Sequence, residues 1–330
     1  MTAAPVPTWL TDFAGEVTGR LRALAGGLSE ALEPQVSALA GRPGKCFRAM
    51  LLCACAGLAG EARDRSSWPG RRDRLVRLGA LVELLHLASL LHDDVVDRAT
   101  TRRGGPAAHT VVGQERAVLA GLACFTLAGM EAASIGGGLD QIVGAAVAGL
   151  ACGEVLDVER AFDTSMSVDD YLELAERKTG DLFRLSCLLG AAESGAGEAV
   201  TDALAKFGAD LGVAFQVLDD CLDLRADPTD KPAGTDHLLG LFGAPTLYAL
   251  AADGSGELAR ILLAPRFGVA DVPAVRALVA ANGGLAAAAA LARERYKRAL
   301  AALDEAAGLT EPGAHRSLIA LAETLWQAGR

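Results

Sequence analysis

Long segments of alanine, leucine and glycine, separated by short polar or glycine- and proline-containing connectors, dominate this 330-residue chain. Residues favoured in strands, such as valine, isoleucine, threonine and tyrosine, rarely occur in runs. The apolar segments are longer than typical strands and are rich in good helix formers. The pattern therefore predicts an all-α protein, with helices over about 75–98, 113–133, 139–160 and 197–224.

Local signals mark where two further helices begin. Ser167-Val-Asp-Asp170 has the form of a capping box, which predicts a helix start at this position. Pro43 and Gly44 precede an apolar helix that extends to about Leu58. No low-complexity linker and no shift in composition divides the chain. We therefore predict one domain over residues 1–330.

Two aspartate triplets carry the candidate chemistry, and each lies at the end of a long apolar segment. Their members are Asp93, Asp94 and Asp97 in HDDVVD, and Asp219, Asp220 and Asp223 in LDDCLD. Residues four apart share one face of a helix, so each triplet brings like charges together. Mg²⁺ would neutralise them, because it prefers carboxylate oxygens and keeps waters and phosphates as its other ligands. We interpret the triplets as a metal–diphosphate site above an apolar cavity rather than as two solvated helix ends.

Several basic and polar residues suit phosphate binding, although each alone would be an ordinary surface or buried polar residue. Arg102 and Arg103 follow the first triplet, and a guanidinium offers a planar donor fork to phosphate oxygens. Lys45 and Arg48 share a face at a predicted helix start. The remaining candidates lie in apolar helical segments and are His86, Lys178, Thr179 and Gln216. Glu83 and His86 match the Glu-x-x-His motif of di-iron bundles, but the chain contains no second copy of that motif.

Composition narrows the class of protein further. The formal net charge of -10 argues against a general nucleic-acid binder, because phosphate backbones attract basic surfaces. Seven cysteines, an odd number in mostly apolar surroundings, indicate reduced thiols in a reducing compartment. We see no apolar run long enough to span a membrane and no signal peptide at the N-terminus, and so expect a cytoplasmic protein.

Several short segments of the chain, in the order in which they occur, resemble motifs of the trans-isoprenyl diphosphate synthase family, whose members are also called polyprenyl synthetases. The most specific match is ELLHLASLLHDDVVDRATTRRGGPAAH, which contains the first DDxxD motif. The segments PGKCFRA, KTGDLF, FQVLDDCLD and DKPAGTD also match family motifs. The resemblance covers nearly the whole chain. It implies an isoprenoid-synthase-type helical bundle around a central apolar cavity, usually as a homodimer, and a role in isoprenoid biosynthesis.

The resemblance also implies roles for individual residues. The six aspartates of the triplets would hold Mg²⁺, with three ions when substrate is bound. The residues expected at the allylic diphosphate are Arg102, Lys178, Gln216 and Lys231, with Thr179 beside Lys178. The residues expected at isopentenyl diphosphate are Lys45, Arg48, His86 and Arg103. Ala88 and Ser89, about one turn before the first triplet, would face down the cavity. Their small size favours a product of C20 or longer.

One departure from the family pattern leaves other functions open. Leu241 occupies the position where the family usually has a lysine that contacts the allylic diphosphate. A class I terpene cyclase on the same scaffold is one alternative, but both aspartate motifs and the isopentenyl diphosphate residues are intact. A non-catalytic subunit of a heteromeric synthase is another, but such subunits usually lose one aspartate cluster. The leading hypothesis is condensation of isopentenyl diphosphate with an allylic diphosphate.

Overall fold

The computed structural model describes residues 5–42, 44–57, 69–224, 235–307 and 311–329. The predicted all-α class is confirmed, with sixteen α-helices among these residues. The first eight are α1 Thr8–Ala25, α2 Glu33–Gly41, α3 Phe47–Ala56, α4 Pro69–Val96, α5 Ala108–Val112, α6 Gln114–Ile135, α7 Leu139–Glu159 and α8 Val168–Ala175. The other eight are α9 Asp181–Ser194, α10 Glu198–Asp223, α11 Thr235–Leu238, α12 Ala244–Ala252, α13 Glu257–Leu262, α14 Val272–Ala281, α15 Gly284–Glu305 and α16 Pro312–Ala328.

The capping box before α8 is present as predicted. Ser167 Oγ accepts a hydrogen bond from the Asp170 backbone N–H, and the Asp170 carboxylate accepts one from Ser167 N–H. These two bonds satisfy backbone groups that have no partner inside the helix. Between α8 and α9 the helix continues as one π-helical turn over Glu176–Gly180, which contains Lys178 and Thr179.

The connector after the first triplet contains a short antiparallel hairpin that the sequence pattern did not predict. Its strands are β1 Thr101–Arg102 and β2 Gly105–Pro106, with Arg102 paired to Gly105. We call residues 101–106 the arginine hairpin. It lies between the end of α4 and α5, so it holds both arginines of the motif close to the first triplet.

Two clusters of buried apolar side chains hold the helices together. The larger is built mainly from α1, α3, α4, α6, α9 and α16, and the smaller from α8, α12, α14 and α15. Helix α10 contributes to both, with Phe207 and Leu211 in the larger cluster and Val217 and Cys221 in the smaller. That residues 1–330 form a single domain stays a prediction. The shared helix α10 ends at the second triplet, so both clusters help to position it.

Three described helices have the length and apolar composition of a membrane span: Gly70–Val96, Gln114–Ile135 and Leu139–Glu159. The most apolar window of the first is 72% buried inside the fold, whereas the shares for the other two are 39% and 17%. A bent pair, Val269–Ala281 with Gly284–Glu305, also meets the criteria when it is counted as one span. The prediction that no apolar run reaches this length is therefore not confirmed.

Candidate active site

The main cavity lies where α4 and α10 end, and it brings members of the two triplets together. Its volume is about 360 Å³. Asp93 and Asp97 line it from α4, and Asp219 and Asp220 line it from α10. The other predicted site residues in its wall are Arg48, His86, Ser89, Arg102, Lys178, Thr179 and Gln216. Two segments far apart in the sequence thus present carboxylates to one space.

The side chains of the first triplet point in two different directions. Asp94 does not line the main cavity with Asp93 and Asp97; it is buried and accepts a 2.6 Å hydrogen bond from Arg102 Nε. Adjacent residues on a helix point about 100° apart, so all three carboxylates cannot face one ion. The structure therefore separates Asp94 from the predicted metal ligands and pairs it with a predicted diphosphate ligand.

The Asp93 and Asp97 carboxylates are poorly compensated. Withdrawal from water raises the pKa of Asp93 to about 8, with Glu154 and Asp97 adding to the shift and Lys178 opposing it. The same desolvation raises the pKa of Asp97 to about 6. Asp97 Oδ1 is buried and has no hydrogen-bond partner among the described residues. A nearby cation would favour the ionised form of both groups.

Lys178 reaches this acidic region from the π-helical turn, where two acids of α7 hold its ammonium. Lys178 Nζ donates a hydrogen bond to Asp157, and lies 3.3 Å from Glu154 Oε2. Burial opposes its charge, but Asp157, Asp93 and Glu154 outweigh burial and raise the pKa of Lys178 well above its usual value. No local sequence signal marks Glu154 and Asp157 as site residues. They follow Gly153 on a helix that carries no aspartate triplet, so only the packing of α7 against the turn reveals them.

Asp220 in the second triplet is held by a small hydrogen-bond network. It accepts from Tyr171 Oη at 2.5 Å, from Gln216 Nε2 at 3.0 Å and from Ala244 N–H at 3.2 Å. Gln216 in turn accepts from Thr179 Oγ1 at 2.7 Å. Desolvation still raises the pKa of Asp220 to about 7. Thr179 and Gln216, predicted substrate ligands, therefore orient a carboxylate of the second triplet.

Asp223 faces a small hollow next to the main cavity. That hollow shares Asp220, Asp236, Leu241 and Gly243 with the main cavity. His237 lies beside Asp223, with 3.9 Å between His237 Nδ1 and Asp223 Oδ2, and burial lowers the pKa of His237 to about 4. The imidazole is thus neutral near pH 7 and adds no positive charge beside Asp223.

A second, basic cavity adjoins the main one and contains the other predicted anion ligands. Its volume is about 240 Å³, and its wall includes Lys45, Arg48, His86 and Arg103. Arg48 packs over the Phe183 ring, and its Nε has no hydrogen-bond partner among the described residues. Burial lowers the pKa of Arg48 to about 10, which leaves it charged near neutral pH.

His86 lies in the wall of both cavities. Burial, together with Arg48, Arg103 and Arg102, lowers its pKa well below the usual value. It is therefore a neutral hydrogen-bonding group beside charged arginines. Glu83 is buried nearby and accepts a hydrogen bond from Ala49 N–H, so the Glu-x-x-His pair serves the basic cavity and not a di-iron centre.

The remaining predicted residues fall in different places. Ser89 lines the main cavity, and its hydroxyl donates to the His86 carbonyl at 2.9 Å. Ala88 is fully buried in the larger core cluster and is not in the cavity wall, because it points to another side of α4. The predicted role of Ala88 in setting the chain length therefore stays a prediction. Leu241 lines the main cavity, so a lysine at this position, as the family usually has, would also lie in the cavity wall. Lys231 lies outside the described residues.

The donors fit Mg²⁺ held jointly by protein and substrate better than an ion held by protein alone. Within the described residues no group of three or more His, Cys, Asp or Glu side chains is arranged to hold a metal ion. Each helix end instead offers carboxylate oxygens from one side of the main cavity. Mg²⁺ commonly takes one or two carboxylates and completes its shell with waters and substrate phosphates. The cationic side chains of the wall, Arg48, Arg102 and Lys178, suit an anionic diphosphate.

Comparisons with known proteins identify the family of this chain. The polyprenyl synthetase family model matches residues 29–279. A geranylgeranyl diphosphate synthase of Mycobacterium tuberculosis is 36% identical over 284 residues, which is 82% of this chain and 77% of that protein. A Caulobacter crescentus polyprenyl synthase, solved with calcium and isoprenyl diphosphate, is 32% identical with a TM-score of 0.83 over 96% of this chain and 94% of that one. A Rhodobacter capsulatus decaprenyl diphosphate synthase is 28% identical with a TM-score of 0.86 over 98% of both chains.

The predicted family and fold are confirmed by these matches and by the helical architecture. They also support the enzyme class, and do not favour the cyclase or the non-catalytic subunit. The chain belongs to the polyprenyl synthetase family and is a prenyltransferase with the isoprenoid-synthase helical fold.

Proposed function

We propose that this prenyltransferase condenses isopentenyl diphosphate with an allylic diphosphate in a Mg²⁺-dependent reaction. The observation that carries the proposal is the adjacency of the two cavities, whose walls share Arg48, His86 and Phe215. One cavity offers carboxylates for metal-bound diphosphate, and the other offers cations for a second diphosphate without a metal. Two diphosphates bound in this way would bring their hydrocarbon parts together at the shared wall.

The allylic diphosphate belongs in the main cavity. Asp93 and Asp97 on one side, with Asp219 and Asp223 on the other, would hold three Mg²⁺ ions, and Asp94 would act by orienting Arg102. When bound, Mg²⁺ neutralises the diphosphate and stabilises the charge that develops as it leaves. The calcium and isoprenyl diphosphate in the Caulobacter crescentus structure support this assignment.

The reaction needs charge stabilisation and positioning more than covalent catalysis. The bond between C1 of the allylic chain and its diphosphate breaks, while Lys178 and Arg102 donate hydrogen bonds to the departing anion. The double bond of isopentenyl diphosphate then supplies the electron pair for a new carbon–carbon bond. A proton leaves the joined product, and the released pyrophosphate accepts it. Phe215, Leu90 and Phe242 in the cavity wall exclude water that would quench the cation.

A direct assay tests the proposal. Purified protein is incubated with Mg²⁺, isopentenyl diphosphate and allylic primers of several lengths, and the products are identified by mass spectrometry. We expect longer diphosphates that require both substrates and disappear when EDTA is added. Hydrocarbons formed without isopentenyl diphosphate would indicate a cyclase. The absence of any product would indicate a subunit that needs a partner, and either result would contradict the proposal.

We further propose a product of C20 or longer. The names of the geranylgeranyl and decaprenyl relatives support this range, and Ser89 leaves space in the cavity wall. Ser89→Phe should shorten the product, because the ring fills that space close to Asp93. Product length is read by mass spectrometry with the shortest primer, whose turnover serves as the control for folding. An unchanged product distribution would show that the chain grows in another direction.

A second copy of this chain is the proposed partner of the exposed faces of α6 and α7. Apolar side chains are exposed on both neighbouring helices: Val118, Leu119, Leu122, Met130, Ile142, Val155 and Val158. Such a surface marks an interaction site, and the family resemblance favours a homodimer. Light scattering should give twice the chain mass, and Leu122→Glu should give the monomer. Sedimentation of the wild-type protein with lipid vesicles would instead indicate a membrane surface.

The proposed location is the cytoplasm. All seven cysteines are free thiols, and six of them are buried. Free thiols in this number are typical of a reducing compartment.

A further inference from the structure

The arginine hairpin and the segment before α3 pack against each other through two arginine–glycine contacts. The Arg42 guanidinium lies on Gly105: a Cβ at Gly105 would be 2.3 Å from Arg42 Cζ. The Arg103 guanidinium lies on Gly44 in the opposite direction: a Cβ at Gly44 would be 2.8 Å from Arg103 Cζ. Each arginine therefore occupies space that exists only because the facing residue is glycine.

The backbone of the hairpin is strained at the residue that carries one predicted isopentenyl diphosphate ligand. The two turn residues, Arg103 and Gly104, have φ values of 51° and 69°. Positive φ at both central residues is the mark of a type I′ turn, which favours Asn, Asp or Gly at the first position. Arginine is disfavoured there and persists only where the surroundings hold it.

Arg42 supplies the contacts that hold this turn. Its Nη1 donates to the Arg102 carbonyl and to the Pro106 carbonyl, each at 3.0 Å. These carbonyls lie on opposite strands of the hairpin, one on each side of the turn. One guanidinium nitrogen thus ties both strands, and the rest of the group covers Gly105.

We propose that Arg42 is a positioning residue that sets the site for isopentenyl diphosphate by fixing the arginine hairpin. The inference rests on the proposed function. Arg102 has a second anchor, its ion pair with buried Asp94. Arg103 has a strained backbone and a guanidinium that rests on Gly44 in the wall of the basic cavity. Loss of Arg42 should therefore affect isopentenyl diphosphate far more than the allylic substrate.

Two substitutions remove the clamp in different ways. Arg42→Ala removes the guanidinium, and Gly105→Ala pushes it away while leaving Arg42 in the chain. Gly105 does not have a positive φ, so alanine adds no backbone strain there. Each variant, and the double variant, should raise the KM for isopentenyl diphosphate by about tenfold, as expected for the loss of charged hydrogen bonds. The effects should not add, because both substitutions break the same contact.

Matched controls separate positioning from general destabilisation. Arg72→Ala removes an arginine of α4 that pairs with Glu16 of α1, and Gly15→Ala adds a Cβ in open space. Neither control should change either KM. In the clamp variants the KM for the allylic substrate and kcat should stay within about threefold of wild type. Equal losses for both substrates, or an unchanged KM for isopentenyl diphosphate, would overturn the proposal.

Hydrogen–deuterium exchange of the substrate-free protein tests the clamp independently of activity. Backbone amides of residues 101–105 and 107 should exchange faster in Arg42→Ala and Gly105→Ala than in wild type and both controls. Unchanged exchange would overturn the clamp. If the wild-type protein condenses no substrates, the proposed function fails, and this measurement alone then decides whether Arg42 holds the hairpin.

Discussion

At the scale of single residues, neighbouring aspartates of one motif have different partners and different roles. Asp93 faces the main cavity and is desolvated, whereas Asp94 is buried behind it and holds Arg102. Asp220 is surrounded by Tyr171, Gln216 and a backbone N–H. A carboxylate with several donors is already oriented, while one without them is available to a cation. The main cavity therefore contains both supported and uncompensated acids.

Leu241 is the residue where a single substitution should improve the site. It lies in the cavity wall beside Asp220 and Asp236, where the family pattern has lysine. Leu241→Lys should lower the KM for the allylic diphosphate by about three- to tenfold, since an ammonium adds a charged hydrogen bond to the anion. Leu239→Lys adds the same charge outside the cavity wall and serves as the control. An unchanged KM in Leu241→Lys would show that the lost contact is replaced elsewhere.

At the scale of elements, the π-helical turn determines where Lys178 and Thr179 lie. Inserting one residue into a helical turn re-aims the side chains that follow, and such turns often occur at functional sites. Helix α10 approaches the π-helical turn closely and so helps to fix the positions of Lys178 and Thr179. A Cβ at Gly212 would lie 2.8 Å from Gly180 Cα and 3.2 Å from the Thr179 carbonyl oxygen. The turn and α10 are thus in backbone contact, one turn of helix away from Gln216.

Gly212→Ala should disturb that contact. The added methyl group meets backbone atoms that cannot rotate away, so the free energy of unfolding should fall by ~1–3 kcal/mol. Activity should fall as well, because Lys178 and Thr179 move relative to Gln216. Thermal melting and steady-state kinetics measure the two effects, with Gly15→Ala as the helix control in open space. Wild-type stability in Gly212→Ala would show that the helices separate without cost.

At the scale of the whole molecule, folding concentrates negative charge at the main cavity, where the described carboxylates of the wall outnumber the described cations. Carboxylates from α4 and α7 surround Lys178, and Asp219, Asp220 and Asp236 line the same cavity. The pKa of Asp93 is raised from the model-peptide value of 3.8 to about 8. A folded-state pKa above the unfolded one means that the folded protein binds the proton more tightly. The tighter proton binding by Asp93 stabilises the folded protein fully below pH 3.8. This stabilisation is lost as the pH rises through about 8.

The metal-free protein should therefore melt at a lower temperature as pH rises from about 7 to about 8.5. Asp93→Asn should melt at a higher temperature than wild type at the upper end of this range and depend less on pH, while losing activity. Mg²⁺ with pyrophosphate should raise the melting temperature of wild type most at the higher pH, because it binds the ionised carboxylates. The same pH dependence in Asp93→Asn and wild type would contradict this account.

The sequence by itself determined the helical class, because long apolar segments without strand formers have few other ways to satisfy their backbone. It also located both triplets and the basic residues, since motif chemistry depends on residue type and spacing. Only the tertiary structure decided which way each side chain points. It placed Ala88 in the core and Ser89 in the cavity, and it separated Asp94 from Asp93.

Contacts between distant segments are the other part that the tertiary structure alone decided. Glu154 and Asp157 meet Lys178 only because α7 packs on the π-helical turn. Arg42 meets Gly105 only because the arginine hairpin folds back over the segment before α3. Neither pair has a local sequence signal, because packing, and not spacing along the chain, brings its members together.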